Sequence, residues 1–203
     1  MDKIVQEIQE SIAVKAELAR VAGREIAETA DAITACLRSG RKVIAFGNGG
    51  SASDAQHFVA ELVGRYKADR EALAAVALTV NGSSLTAIAN DYGFAEVFAR
   101  QLAAIGKPGD LVLAISTSGN SPNILRALET AMQLGMRRIG LTGQSGGKLR
   151  SEVEICITVP STSTPRIQEC HALIIHILCG IVEEAFVTSA AQAHKKLSAG
   201  EVR

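Results

Sequence analysis

The sequence predicts an α/β fold in which a mostly parallel sheet is covered by helices on both faces, with two further helices in front of it. Three observations carry this reading. Beyond residue 40, short β-rich apolar runs alternate with segments of helical periodicity. These runs are near-continuously apolar, as strands buried on both faces are. The core must also be built from Ala, Val, Ile and Leu, because aromatics make up 3% of the chain and Trp is absent, a composition suited to close helix–sheet packing and subunit contacts.

In order, Ile4, Ile8, Ile12 and Ala16 recur at helical spacing, and a second helix is expected from Gly23 to Leu37 through Ile26, Ala30 and Ile33. Ser39-Gly40 stops it. The two helices read as an amphipathic hairpin packed on the main domain or on another subunit. Strands follow at Lys42–Phe46, Ala74–Thr79, Asp110–Ser116, Arg138–Thr142 and Val153–Val159. Helices are expected at Ser51–Arg65, after a cap at Ser83 or Ser84, at Ala95–Ile105, at Ser121–Leu134, and from Pro165 to about Ala190. At 203 residues, 47% of them hydrophobic, the chain suits one large domain, 1–203, with an appended helical segment.

Charge excludes some functions. Twenty-one basic residues balance twenty-one acidic ones with no basic stripe, so a nucleic-acid partner is not expected. The first eight residues, MDKIVQEI, lack the apolar core of a signal peptide. The apolar stretch Ala172–Val182 is interrupted by His176 and is short for a membrane span. A soluble, cytoplasmic protein with no membrane partner is the expectation. Cys36, Cys156, Cys170 and Cys179 show no CxxC spacing and read as buried free thiols.

Two loops carry the chemistry. Gly47-Asn-Gly-Gly-Ser51 leaves the first strand and enters a helix, where glycine admits a ligand to the backbone and Ser51 can cap N–H groups that attract an anion. Ser116-Thr-Ser-Gly-Asn-Ser121 holds the same position on the third strand, with Pro122 placed to open a helix. Either loop alone is also an ordinary βα turn. Together, at the carboxyl ends of parallel strands, they point to a phosphorylated ligand. Neither ends in Gly-Lys-Ser/Thr, so a Walker loop is excluded, and their glycine spacing does not fit a dinucleotide fingerprint.

On the helix after the first loop, Asp54, His57, Glu61 and Arg65 share a face at spacings of three and four. A His and a Glu so placed can hold a metal ion or pair a base with a charged partner, although a solvated polar face has the same pattern. The last helix carries Gln168, His171 and His176. Gln168 and His176 are eight residues apart, about 12 Å along an ideal helix. They meet at one small ion only if the first turn frays or if two subunits contribute.

The blocks GNGGSASDAQHFVAELVGRY, LTAIANDYGFAEVFARQ, GDLVLAISTSGNSPNILRALE and TPRIQECHALIIHILC together resemble the sugar isomerase (SIS) domain, and more closely its bacterial phosphoheptose isomerase branch, from about Ile4 to Ala185. The resemblance implies a three-layer αβα domain with a five-stranded parallel sheet. It also implies a homotetramer joined through the helical segment 1–39, with active sites at subunit interfaces. The implied reaction converts sedoheptulose 7-phosphate, a phosphorylated seven-carbon sugar, into D-glycero-D-manno-heptopyranose 7-phosphate for heptose precursors of cell-surface glycans such as lipopolysaccharide. Matched residue by residue, His57, Glu61, Gln168 and His176 take the places of a zinc site, and Glu61 and His176 those of an acid/base pair. Asn48, Gly49, Gly50, Ser51, Glu61, Arg65, Asn90, Asp91 and Gln168 take substrate-contacting places, with Ser116, Thr117, Ser118 and Ser121 in the phosphate pocket. Ser163 stands where many relatives are acidic, and Ala89 where Gly is frequent. The family also contains a non-catalytic adaptor that binds the bacterial replication initiator. There the equivalents of Glu61 and His176 are replaced, so their presence here favours the isomerase.

Overall fold

The computed structural model describes residues 2–200, with side chains described as far as Val187. Helices α1 (Asp2–Val21) and α2 (Gly23–Arg38) precede strand β1 (Val43–Gly47), and α3 (Gly50–Val63) leads to β2 (Ala75–Ala77). Next come α4 (Gly82–Tyr92), α5 (Ala99–Ile105), β3 (Leu111–Ser116), α6 (Pro122–Gln133), β4 (Arg137–Thr142), β5 (Ile155–Thr158) and α7 (Thr164–Gly200). All strands pair in parallel, in the order β2-β1-β3-β4-β5.

Side chains alternate across this sheet, so it buries two cores. Val43, Ala45, Leu111, Leu113 and Ile115 pack with α2, α3 and α7. Ile44, Phe46, Val112 and Ala114 pack on the opposite face with α5 and α6. Every residue of β1 and β3 is buried, which is why those runs read as unbroken apolar segments. The three-layer αβα arrangement and its five parallel strands match the expectation.

The differences have local causes. β2 is three residues long because it is an edge strand with β1 as its single partner. The helix expected over Ala95–Ile105 is divided: Phe94–Glu96 forms a 3₁₀ turn before α5 begins at Ala99. α4 is capped not by a serine but by Asn81, whose side chain accepts the Ser84 N–H at 3.0 Å. α7 runs beyond the expected Ala190, to Gly200.

The segment Thr164–Val187 of α7 is long and apolar enough to cross a membrane by length and composition, which the shorter stretch Ala172–Val182 did not suggest. Its apolar positions Ile174, Ile175, Leu178, Cys179 and Val182 are buried in the sheet-side core. Cys36, Cys170 and Cys179 are buried free thiols and Cys156 is half-buried. Burial pushes Cys36 up to about 11 and Cys179 up to about 12, which leaves them unreactive.

The N-terminal hairpin divides its labour. α2 buries Ile26, Ala30, Ile33 and Leu37, the predicted stripe. In α1 Leu18 alone is buried, and Ile4, Ile8 and Ile12 are 67%, 55% and 61% exposed in this chain.

His171 ties α7 to the end of β4. It is fully buried, and its Nε2 lies 3.3 Å from the Thr142 carbonyl, to which it donates. Burial pushes its pKa from 6.5 down to about 4, with the Thr142 carbonyl opposing. The unfolded chain therefore binds one more proton than the fold between those values, so acidification across that window destabilises the fold. Thermal melts of wild type should fall more steeply from pH 6.5 to 4 than melts of His171→Gln, which keeps a donor but does not titrate. Parallel curves would contradict the assignment.

Candidate active site

Strand order reverses at β1, so the loops leaving β1 and β3 sit side by side, with Gly47 in register with Ile115. They enclose one cavity of about 70 Å³ lined by Asn48, Ser51, Ile115, Ser116, Thr117, Ser118 and Ser121. The first loop turns at Gly49, whose φ of 55° suits glycine, and Gly49 rather than Ser51 is the N-cap of α3. Ser51 lies inside the helix and is buried. In the second loop Gly119 has a φ of 65°, and a Cβ there would strike the Gly146 carbonyl. The Ser116 hydroxyl accepts the Gly119 N–H at 3.1 Å, and the Ser118 hydroxyl the Asn120 N–H at 3.2 Å.

Neither helix entering this cavity has a side-chain cap, since Gly49 has no side chain and Ser121 makes no capping bond. First-turn N–H groups without side-chain acceptors, beside five hydroxyls, suit a phosphate. Asn123, not singled out from the sequence, locks the two loops together. Its amide and that of Asn48 exchange two hydrogen bonds of 2.9 Å. The available signal was an Asn one helical turn before Ala127 on the buried stripe of α6.

His57 and Glu61 project from α3 toward α7. The His57 Nε2 lies 3.2 Å from Glu61 Oε1 and 3.2 Å from His176 Nε2. One donor atom from each of these three residues lies within 4.8 Å of the others, a group able to hold a metal ion. Two ring nitrogens facing each other share at most one proton, which leaves lone-pair capacity that a cation would use. Asp54, one turn before His57, adds charge that a cation would offset. Its Oδ2 is buried without a hydrogen-bond partner, and burial pushes its pKa up to about 6, with His57 opposing. The donor set fits zinc, which takes imidazole and carboxylate ligands.

Gln168 does not join this cluster within the chain. Its amide lies against Gly50, where an added Cβ would collide with Nε2. Gly50 and Gln168 meet at one level, and His57 and His176 meet about two turns further along both helices, so α3 and α7 run side by side in the same direction. Arg65, Asn90 and Asp91 are exposed, and Asn90 donates to Asp91 at 2.8 Å. At Ser163 the local hydrogen bonds close without an acid: its N–H donates to the Ser161 hydroxyl, and its carbonyl accepts the Ile167 N–H.

A family model described as the SIS domain matches residues 8–143. The phosphoheptose isomerase of Rhodospirillum rubrum is 56% identical over 160 residues, covering 79% of this chain and 85% of that protein. This chain belongs to the SIS domain family, in its phosphoheptose isomerase branch. The phosphoheptose isomerase of Geobacter sulfurreducens is 50% identical over 184 residues, 91% of this chain and 97% of its own. The solved structure of a phosphoheptose isomerase from Francisella tularensis superposes with a TM-score of 0.88 at 44% identity, covering 90% of this chain and 97% of that one. Membership of this branch makes the SIS-domain chain an isomerase.

Proposed function

We propose that this isomerase converts sedoheptulose 7-phosphate into D-glycero-D-manno-heptopyranose 7-phosphate, supplying heptose for cell-surface glycans such as lipopolysaccharide. One observation carries it: the first turn of α3 lines the phosphate-type cavity with Ser51, and the helix presents His57 and Glu61 to His176 about two and three turns later. Ser51 and His57 are about 9 Å apart along an ideal helix. A sugar held by its terminal phosphate can bridge that interval to the reacting carbons. The seven-carbon substrate is taken from the names of the relatives.

In this reading Ser116, Thr117, Ser118, Ser121 and the first N–H groups of α3 and α6 hold the phosphate, while Asn48, Gly49, Gly50 and Gln168 border the sugar. Glu61 moves the proton between adjacent carbons. His176 gives and takes the proton at the neighbouring oxygen. When bound by His57, Glu61 and His176, zinc supplies Lewis-acid stabilisation of negative charge on oxygen. Glu61 would also be one of the residues holding zinc, and metal binding would lower its basicity.

Residues 1–203 form a single SIS domain in this proposal, and segment 1–39 joins a cytoplasmic homotetramer. The exposed stripe of α1 supports this, as does an apolar groove of about 270 Å³ lined by Leu18, Ile26, Leu173, Ile177 and Ile181. Assembly would bring Arg65, Asn90, Asp91 and a second Gln168 to interfacial sites. Sedimentation should give four copies of wild type and smaller species for Ile8→Lys; a wild-type monomer would contradict the interface.

Turnover of sedoheptulose 7-phosphate should be lost with chelator and restored by zinc. Glu61→Gln and His176→Asn should each reduce it by about 10²- to 10⁴-fold. Full activity in either variant would remove its assigned role. No turnover by wild type, with or without metal, would favour the adaptor reading.

A further inference from the structure

His176 has a second aromatic neighbour besides His57. The two imidazoles meet edge to face, 86° apart with centroids at 4.8 Å. The Tyr66 ring lies nearer to parallel with His176, tilted by 30° at a centroid distance of 5.6 Å. Tyr66 rests on α7 at Gly180, one turn beyond His176, where an added Cβ would sit 3.5 Å from the ring.

The turn that carries Tyr66 is held from both helices. Glu183 of α7 accepts the backbone N–H groups of Tyr66, Lys67 and Ala68 at 2.9, 2.8 and 2.8 Å. The same carboxylate faces Arg70 at 3.4 Å, with both side chains 5% exposed. The Arg70 guanidinium donates in turn to the carbonyls of Glu61 at 2.7 Å and Leu62 at 2.9 Å, closing the end of α3. One buried ion pair therefore ties the backbone of Glu61, the turn bearing Tyr66 and the helix bearing His176.

We propose that Tyr66 is a positioning residue for His176, an aromatic wall that keeps the imidazole turned toward His57 and Glu61. The Arg70–Glu183 pair holds that wall in place. A ring that binds metal or moves a proton must occupy one rotamer, and a neighbouring ring in van der Waals contact restricts it without touching substrate. This inference rests on the role given to His176 above and adds to it the group that orients the ring.

The test compares Tyr66→Leu with Tyr66→Phe in the full chain, after melts show that both are folded. Cobalt(II) is titrated into metal-free protein and followed by its visible absorption, and kcat and KM are measured separately. Tyr66→Leu should weaken cobalt affinity or lower kcat by about 10- to 100-fold and alter the absorption spectrum. KM should stay within about twofold, because uniform substrate binding is untouched. Tyr66→Phe should restore every reading. A Leu variant indistinguishable from wild type overturns the proposal. A Phe variant that falls as far as Leu overturns it too, since the hydroxyl and not the ring would then be responsible. Wild-type protein that neither binds cobalt nor turns over substrate refutes the reading of the site itself, and this inference with it.

Discussion

The reversal of strand order at β1 is the constraint on which the rest of the molecule depends. Because β2 lies on one side of β1 and β3 on the other, the chain leaving β1 and the chain leaving β3 emerge next to each other. No helix crosses between them, so a crevice opens at the carboxyl end of the sheet. The two short loops fill its floor with hydroxyls and backbone N–H groups, and the Asn48–Asn123 amide pair fixes their spacing. α3 and α6 then point their positive ends at one place.

From that crevice α3 acts as a ruler. Its first turn belongs to the cavity, its second carries Asp54 and His57, and its third carries Glu61. α7 runs beside it, touching it near Gly50 through Gln168 and again at His57 through His176. The region gathers several under-satisfied polar groups: facing ring nitrogens, a buried carboxylate oxygen without a partner, and two helix starts without side-chain caps. Each disfavours the folded chain by itself, and each is of the kind that a ligand of suitable charge would satisfy. The surroundings are rigid by contrast, with fully buried strands on one side and the Arg70–Glu183 pair on the other.

Much of this was legible in the sequence because it follows from periodicity and loop chemistry. The unbroken apolar runs of β1 and β3 announced a sheet buried on both faces, and the two Gly/Ser-rich turns are the loops that line the cavity at its carboxyl end. The spacing of His57 and Glu61 put them on one face, and the eight-residue gap from Gln168 to His176 let those two meet at one ion only if the first turn frayed or two subunits contributed. What escaped was decided by tertiary partners. Asn123 gains its role only because Asn48 comes opposite it in the fold. Tyr66, Arg70 and Glu183 are far apart in sequence or lie in a turn, and their roles exist only where α7 crosses the end of α3. The stripe of α1 has the periodicity of a core helix, yet Ile4, Ile8 and Ile12 lie exposed in this chain.

The central claim is that one substrate spans both halves of this site, with its phosphate in the β1/β3 crevice and its reacting carbons at the α3/α7 cluster. A crystal structure with zinc and sedoheptulose 7-phosphate, using anomalous scattering to locate the metal, tests it most directly. The account predicts phosphorus among Ser116, Thr117, Ser118 and Ser121, and a zinc peak among His57, Glu61 and His176. A phosphate bound elsewhere, or a metal held by other residues while the enzyme turns over, would contradict it.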